Sequence, residues 1–463
     1  VAFSTFWRSA SAVRDATRPS LADAEQVLAR VWSHSTFRHH QRRAILAALQ
    51  GRDCLAVLPT GGGKSICFQV PALVLPGLTV VISPLISLMQ DQVAALQQRG
   101  VAAAYLSSTL TPAVRSGILA SMREGRLKLL YVAPERLDGL TRDLQRTPVA
   151  LLAVDEAHCI SEWGHEFRPH YRTIGRHRSV LGSPPTIALT GTATAETRAD
   201  IVRTLHLKNP VLILRSFDRP NLYFAARKVG YDGERLHLAL RLLRATDGTA
   251  IVYVPTRNQT DGVTTVLRHW GLRALPYHAG LPASARRGLL ARFLDGRCRV
   301  IVATNAFGMG IDKPDVRLVL HLGVPGRPEA YFQEAGRAGR DGVPAACVML
   351  WTEGDLTLAR RLLTRGSETR RWRRSMRASD RRGLDAMAHY VRTRGCRRRV
   401  LLDYLGERDT VCSGCDRCRS EPLGLSRARQ SQGAGPSASL QMSSSDDESS
   451  GRARFWREVD AVA

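Results

Sequence analysis

Residues 58–69, LPTGGGKSICFQ, decide how the first half of the chain folds. The apolar run Cys54, Leu55, Ala56, Val57, Leu58 leads into three glycines, followed by Lys64 and Ser65. That order reads as a buried strand, a tight turn and a helix start at Ser65. Glycine backbone lets successive N–H groups converge on an anion, and a helix N-terminus adds its positive end. Lysine would then reach the terminal phosphates of a nucleotide, and the serine hydroxyl would take magnesium. The full phosphate-loop pattern has another glycine at position 58, where this chain has Leu58, so only the GxGKS core is present. A Gly-rich turn in an α/β sheet is the plainer alternative. Lysine usage weighs against it, because only five lysines (64, 128, 208, 228 and 313) stand among 67 basic residues. In a chain that otherwise uses arginine, a lysine directly after GGG is placed for chemistry. We read Thr60, Gly61, Gly62, Gly63, Lys64 and Ser65 as a nucleotide-phosphate site.

The 463 residues have room for two or three hydrophobic cores. No stretch supplies the roughly 20 apolar residues of a membrane span. The net charge of +26 points to a polyanionic partner, nucleic acid above all, since phosphate neutralisation by arginine drives such binding. Of nine cysteines, five (Cys54, Cys67, Cys159, Cys298 and Cys347) are scattered in apolar or motif context and read as reduced thiols. The other four cluster near the end. No secretory signal is visible, so disulfides are not expected.

From residue 40 to 210, apolar runs such as LTVVIS, LKLLYV, LLAVDE and TIALT alternate with helical patterns. This alternation predicts a parallel sheet covered by helices on both faces. A second series follows with AIVYV, ALPYH, VIVAT, LVLHLG and CVMLW, and SFDRPNL (216–222) reads as the connection between the two. Residues 360–399 hold fifteen arginines on a helical pattern. Such a run is ordinarily a solvated face, but here it leads into the cysteine cluster and fits a nucleic-acid surface. The Ser, Gly and Gln-rich stretch that follows Cys418 reads as disordered. The expected organisation is therefore a segment 1–20 without assigned role, an α/β domain over 21–214 and a second over 215–348. A helical cysteine-bearing subdomain spans 349–420, and a disordered tail spans 421–463.

In LLAVDEAHCISEWGH, Asp155 and Glu156 directly follow a buried strand. Beside a phosphate loop, such carboxylates hold magnesium (Asp155) and orient and deprotonate the attacking water (Glu156), while His158 couples that chemistry to the rest of the protein. A merely polar strand end is the alternative. In YFQEAGRAGRDG, Arg337 and Arg340 are three residues apart, after Gln333 and Glu334. A guanidinium fork can meet a developing phosphoryl charge bidentately. The alternative is a glycine-rich loop with surface arginines.

Taken together, these motifs resemble the RecQ family of DNA helicases, within the DExH/DEAD superfamily, from about residue 30 to 420. FRHHQ (37–41), LPTGGGKS, VISPLISLMQDQV (81–93), DEAHCISEWGHEFRPHY (155–171), IALTGT, YHAGL, VIVATNAFGMGID and YFQEAGRAGRDG occur in the family's order. The resemblance implies two tandem RecA-like P-loop domains, parallel sheets flanked by helices, with a small helical zinc-binding subdomain. It implies that Arg38 and Gln41 hold the base, that Asp312 belongs to the nucleotide site, and that Gln333, Arg337 and Arg340 complete catalysis from the second domain. Trp163, His165, Phe167 and Arg168 would sense single-stranded DNA, by stacking and charge, and signal to Asp155 and Glu156. Buried aromatics are ordinarily core, which is the competing reading for Trp163 and Phe167. The chain departs from the family where His39-His40 replaces the usual Pro-Gly, where His34 replaces an aromatic residue, and at Asp312, where asparagine is frequent.

Cys396, Cys412, Cys415 and Cys418 form two CxxC steps plus a distant fourth thiol. Four thiolates suit tetrahedral zinc, with an iron–sulfur cluster as the other option; the resemblance favours zinc. The cofactors expected are ATP, Mg2+ and Zn2+. The partners expected are single-stranded and forked duplex DNA, with a single-strand-binding protein as a protein partner and no membrane; the oligomeric state is left open, a monomer being one option. The setting implied is cytoplasmic, on the nucleoid in a bacterium. The activity expected is ATP-dependent unwinding of DNA in recombination and repair. The alternatives are a DNA-stimulated translocase that unwinds weakly for want of a winged-helix domain, an RNA helicase of the same superfamily, and a zinc-stabilised nucleic-acid binder with a dead nucleotide site.

Overall fold

Alternating apolar runs and amphipathic segments build two separate parallel sheets in the computed structural model. It describes residues 19–59, 61–107, 110–161, 168–308, 313–364, 370–408, 410–418 and 445–462. The chain divides into two compact units, Val1–Ser216 and Phe217–Ala463. The division falls inside SFDRPNL.

The first unit runs α1 (Leu21–Trp32), α2 (His39–Leu49), β1 (Cys54–Val57), α3 (Ile66–Val74), β2 (Leu78–Ile82), α4 (Ile86–Gln98) and β3 (Ala103–Leu106). It continues through α5 (Pro112–Arg123), β4 (Leu129–Val132), α6 (Leu137–Gln145), β5 (Val149–Val154), α7 (Ile174–Val180), β6 (Thr186–Thr190), α8 (Ala195–Thr204) and β7 (Val211–Leu214). The seven strands order as β3-β4-β2-β5-β6-β1-β7. Central strands are buried on both faces, which is why they read as unbroken apolar runs. The phosphate loop leaves β1 and the carboxylates leave β5, with β6 between them.

The second unit runs β8 (Leu222–Lys228), α9 (Asp232–Ala245), β9 (Thr249–Tyr253), α10 (Arg257–His269), β10 (Ala274–Tyr277), α11 (Ala283–Leu294), β11 (Val300–Ala303), β12 (Val316–Leu322), α12 (Pro328–Ala335) and β13 (Ala345–Trp351). Its six strands order as β10-β11-β9-β12-β13-β8. Helices α13 (Glu353–Thr364), α14 (Arg370–Arg392) and α15 (Arg397–Tyr404) carry the chain to the cysteines. Arg397 and Arg398 are buried here. Arg397 pairs with Asp416 at 2.6 Å, and Arg398 with Asp218.

A last helix, α16 (Ser445–Val462), stands where part of a disordered tail over 421–463 was expected, while residues 421–444 lie outside the described residues. Phe455, Val459 and Val462 join the core formed by Tyr223, Leu238, Leu242 and their neighbours. Trp456 meets the Tyr223 ring edge-on at 5.7 Å, and Glu458 pairs with Arg241 at 2.8 Å. Arg227 donates to the carbonyls of Ala461 and Val462, both at 3.3 Å, a cation at the negative end of the helix. The apolar spacing 455, 456, 459, 462 is helical and was there to be read; the Ser-rich run before it masked the signal.

Candidate functional site

The glycine loop is held by its carbonyls. Arg38 Nη1 donates to Gly61 O at 2.9 Å, His40 Nε2 lies 2.8 Å from Gly62 O, and Gln41 Nε2 donates to Gly63 O at 3.2 Å. All three side chains come from the start of α2, where the Arg38 N–H also donates to Gln41 Oε1 at 3.0 Å. Gln41 is 7% exposed, and both ends of its amide are spent on the protein itself. Gly63 has φ +71°, and a Cβ there would strike the Gln41 amide nitrogen, so no other residue fits. Beyond the loop Ser65 opens α3, where the Cys67 N–H donates to Lys64 O at 3.0 Å and the Phe68 N–H to Ser65 O at 3.2 Å, and the positive end of the helix follows the glycines directly.

At the end of β5, Glu156 takes a left-handed backbone, φ +46°, uncommon for a residue with a side chain. Its N–H donates to Asp155 Oδ1 at 3.0 Å. Burial, then the neighbouring Glu156, pushes the Asp155 carboxyl up to about 7, while Lys64 and His158 oppose that shift. A dication here would relieve the crowding of two carboxylates. His158 is buried; its Nδ1 lies 3.3 Å from Glu156 Oε2 and 2.9 Å from Thr190 Oγ1. Thr190 ends β6 and donates to Thr192 O at 3.0 Å. The imidazole thus joins the carboxylate pair to the TGT turn at the end of the neighbouring strand β6, a contact of Thr190 that the sequence reading did not assign. Arg168 donates to Pro84 O at 2.7 Å, which ties the end of the aromatic-rich loop to the segment after β2.

In the second unit, α12 carries Gln333 and Glu334, and Glu334 lies 2.9 Å from His321 Nε2 on β12. Arg337 is buried beside the Tyr253 hydroxyl, while Arg340 is partly exposed. The loop carrying both is gripped from the SFDRPNL segment. Arg219 donates to the carbonyls of Gly336 (3.3 Å), Ala338 (3.1 Å) and Gly339 (2.7 Å), and Asn221 to those of Gly339 (2.8 Å) and Val343 (3.0 Å). Neither Arg219 nor Asn221 stood out in the sequence as more than connector.

The sulfurs of Cys396, Cys412, Cys415 and Cys418 all lie within 4.8 Å of one another, with 3.6 Å between Cys412 and Cys415 and 4.0 Å between Cys415 and Cys396. Zn–S bonds of ~2.3 Å in a tetrahedron place sulfurs ~3.8 Å apart, so the cluster fits zinc. Without a cation the thiols crowd: contact with Cys412, then burial, pushes Cys415 up to about 12. The loop is docked on β8, where Phe224 N donates to Gly414 O at 3.3 Å and Asp416 N to Phe224 O at 3.0 Å.

Three family models match the chain in order: DEAD/DEAH box helicase over residues 38–201, helicase conserved C-terminal domain over 234–342, and RecQ zinc-binding over 353–419. The ATP-dependent DNA helicase RecQ of Haemophilus influenzae is 41% identical over 86% of this chain and 64% of its own length. That of Bacillus subtilis is 40% identical over 88% of this chain and 69% of its own. The chain belongs to the RecQ helicase family. It spans about two thirds of the length of these relatives. Among solved structures, the Mycobacterium smegmatis helicase Lhr bound to ssDNA and AMP-PNP has a TM-score of 0.57 at 19% identity, covering 81% of this chain and 58% of that one, a likeness of fold.

Within this RecQ-family chain, the structure gathers Arg38, Gln41, Gly61, Gly62, Gly63, Lys64 and Ser65 around one loop, and Asp155, Glu156 and His158 around one strand end. Gln333, Arg337 and Arg340 stand together in the second unit. Thr60, Trp163, His165, Phe167 and Asp312 lie outside the described residues. No described helix is long and apolar enough to cross a membrane.

Proposed function

We propose that this chain is the motor of an ATP-dependent DNA helicase, which hydrolyses ATP to move along single-stranded DNA and parts forked duplexes. The observation that carries this reading is the shared strand-end layout: phosphate loop after β1, carboxylate pair after β5, and the His158–Thr190 link between them. Lys64 and the N–H groups opening α3 bind the terminal phosphates. Ser65 and Asp155 are the groups that would hold magnesium, which when bound neutralises phosphate charge. Glu156 orients the attacking water and takes its proton. Gln333, Arg337 and Arg340 serve as phosphate-facing groups of the second unit. Arg38 and Gln41 serve the base, and Gln41 exchanges its bond to Gly63 when it does so. Trp163, His165 and Phe167, with Arg168, report a bound strand to the carboxylates. The four cysteines hold one zinc, closing the loop on β8.

ATPase assays with single-stranded DNA, duplex DNA or RNA added, run on wild type, Lys64→Ala and Glu156→Gln, test the reading. Single-stranded DNA should stimulate wild type most. Lys64→Ala should lose turnover by more than about 100-fold, and Glu156→Gln should bind nucleotide without hydrolysing it. Elemental analysis should find about one zinc per chain. Wild-type turnover in both variants would remove the site, and bound iron without zinc would remove the metal.

A further inference from the structure

We infer that His40 is a positioning residue for the phosphate loop: its imidazole holds the Gly62 carbonyl and thereby sets where the loop's N–H groups and Lys64 stand. The inference rests on the nucleotide-site reading above. His40 is 5% exposed, and its Nε2 lies 2.8 Å from Gly62 O. It stands in the middle of a row of three donors, between Arg38 on Gly61 and Gln41 on Gly63.

The three anchors are not equivalent. Arg38 is exposed, so water competes for its bond. Gln41 Nε2 is at 3.2 Å, the longest of the set, and the same amide also accepts from the Arg38 N–H. His40 is buried and rigid, with the shortest bond. A carbonyl can only accept, so Nε2 must carry the proton, which fixes the imidazole tautomer. Burial, opposed by the bond to Gly62, lowers the proton affinity of the ring, and nearby Arg215, Arg38 and His39 lower it further. The neutral form with the proton on Nε2 is therefore the working one. Space around the loop is also limited: a Cβ on Gly62 would come within 2.8 Å of Pro59 O. The carbonyl at 62 therefore cannot be re-anchored by changing its own residue. It depends on His40.

Replacing His40 removes the side-chain donor that fixes the half-buried Gly62 carbonyl, so the loop relaxes and phosphate binding weakens before chemistry does. His40→Ala and His40→Leu should raise KM for ATP about five- to tenfold, with kcat at saturating single-stranded DNA changed less than about twofold. His40→Gln, whose Nε2 reaches about as far as the imidazole Nε2, should restore KM to within about twofold of wild type. A fluorescent ATP analogue would measure affinity directly, and circular dichroism would report folding. Unchanged KM in Ala and Leu variants that fold overturns the inference, as does equal impairment in the Gln variant, which would show that ring packing and not the bond matters. Lys64→Ala is measured in parallel. If it still turns over ATP, the site reading fails; if it is inactive while His40→Leu is normal, only His40 is wrong.

Discussion

Each unit holds a glycine-rich loop by its carbonyls, and the two grips differ in kind. In the first unit, Arg38, His40 and Gln41 each take one carbonyl of Gly61, Gly62 and Gly63. In the second, the single guanidinium of Arg219 takes three, those of Gly336, Ala338 and Gly339. The likeness extends to one detail. Gly63 and Gly339 both have positive φ, both carbonyls accept from a carboxamide (Gln41 or Asn221), and in both a Cβ would strike that amide nitrogen. The difference is charge and sharing. Charged donors bond more strongly than neutral ones, and a planar fork fixes direction. The arginine loop is thus built as a fixed platform, whereas the phosphate loop is held largely by neutral, exchangeable bonds, which suits the proposal that it adapts to a triphosphate.

The largest effect should come from removing α16. Deleting residues 445–463 strips Phe455, Val459 and Val462 from the core beside β8, the strand that directly follows the Arg219–Asn221 grip. At about 1.5–3 kcal/mol for each large apolar side chain, the second unit loses several kcal/mol. Thermal unfolding should show its transition lowered by about 10 °C or more, with that of the first unit unmoved. Equal loss in both transitions would mean that the fixed platform is not a property of the second unit alone.

That helix also marks where sequence reading stopped. Strands with both faces buried, such as β1, β2, β5 and β9, announce themselves as apolar runs. The strands not read, β3, β7 and β8, all lie at sheet edges, where one neighbour is missing and the pattern weakens: β3 begins Ala103-Ala104, and Leu212 and Leu214 of β7 are exposed. The residues proposed to contact phosphate or metal stood out in the sequence because such chemistry needs particular side chains at fixed spacing. His158 stood out in the sequence, but its hydrogen-bond partner Thr190 did not. Arg219, Asn221 and the anchoring bond of His40 act on backbone carbonyls, and a carbonyl carries no sequence signal. Only folding brings residue 219 to residues 336–339.

The next largest effect tests the fixed platform. Arg219→Ala should lower ATP turnover about 100-fold, because it releases three carbonyls and lets Arg337 and Arg340 shift by an ångström or so. Affinity for a fluorescent ATP analogue should stay within about twofold of wild type. Arg219→Lys should recover little, since one ammonium cannot reach in three fixed directions at once. Asn221→Ala, which frees fewer bonds, should fall between wild type and Arg219→Ala. A common loss of affinity and turnover would erase the distinction between the two grips.

The smallest effect concerns the neutral grip and its dependence on pH. Burial holds the proton affinity of His40 below its ordinary value near 6.5, with Arg215, Arg38 and His39 acting in the same direction and the Gly62 carbonyl against it. In the unfolded chain the ring titrates normally. Above pH 6.5 both states carry a neutral imidazole, and the contribution of His40 to stability is fully present. As pH falls below that value, the unfolded chain binds a proton that the folded chain refuses, so stability declines until the folded ring protonates too. Other histidines add their own slopes, and the comparison must therefore be made against a variant. Between pH 7.5 and 5.5 the transition of the first unit should fall about 2 °C further in wild type than in His40→Gln. The second unit, whose loop is held by a guanidinium and a carboxamide that do not titrate in this range, should show no difference between the two proteins. A difference in that transition, or none in the first, would show that His40 does not carry the charge-sensitive anchor assigned to it.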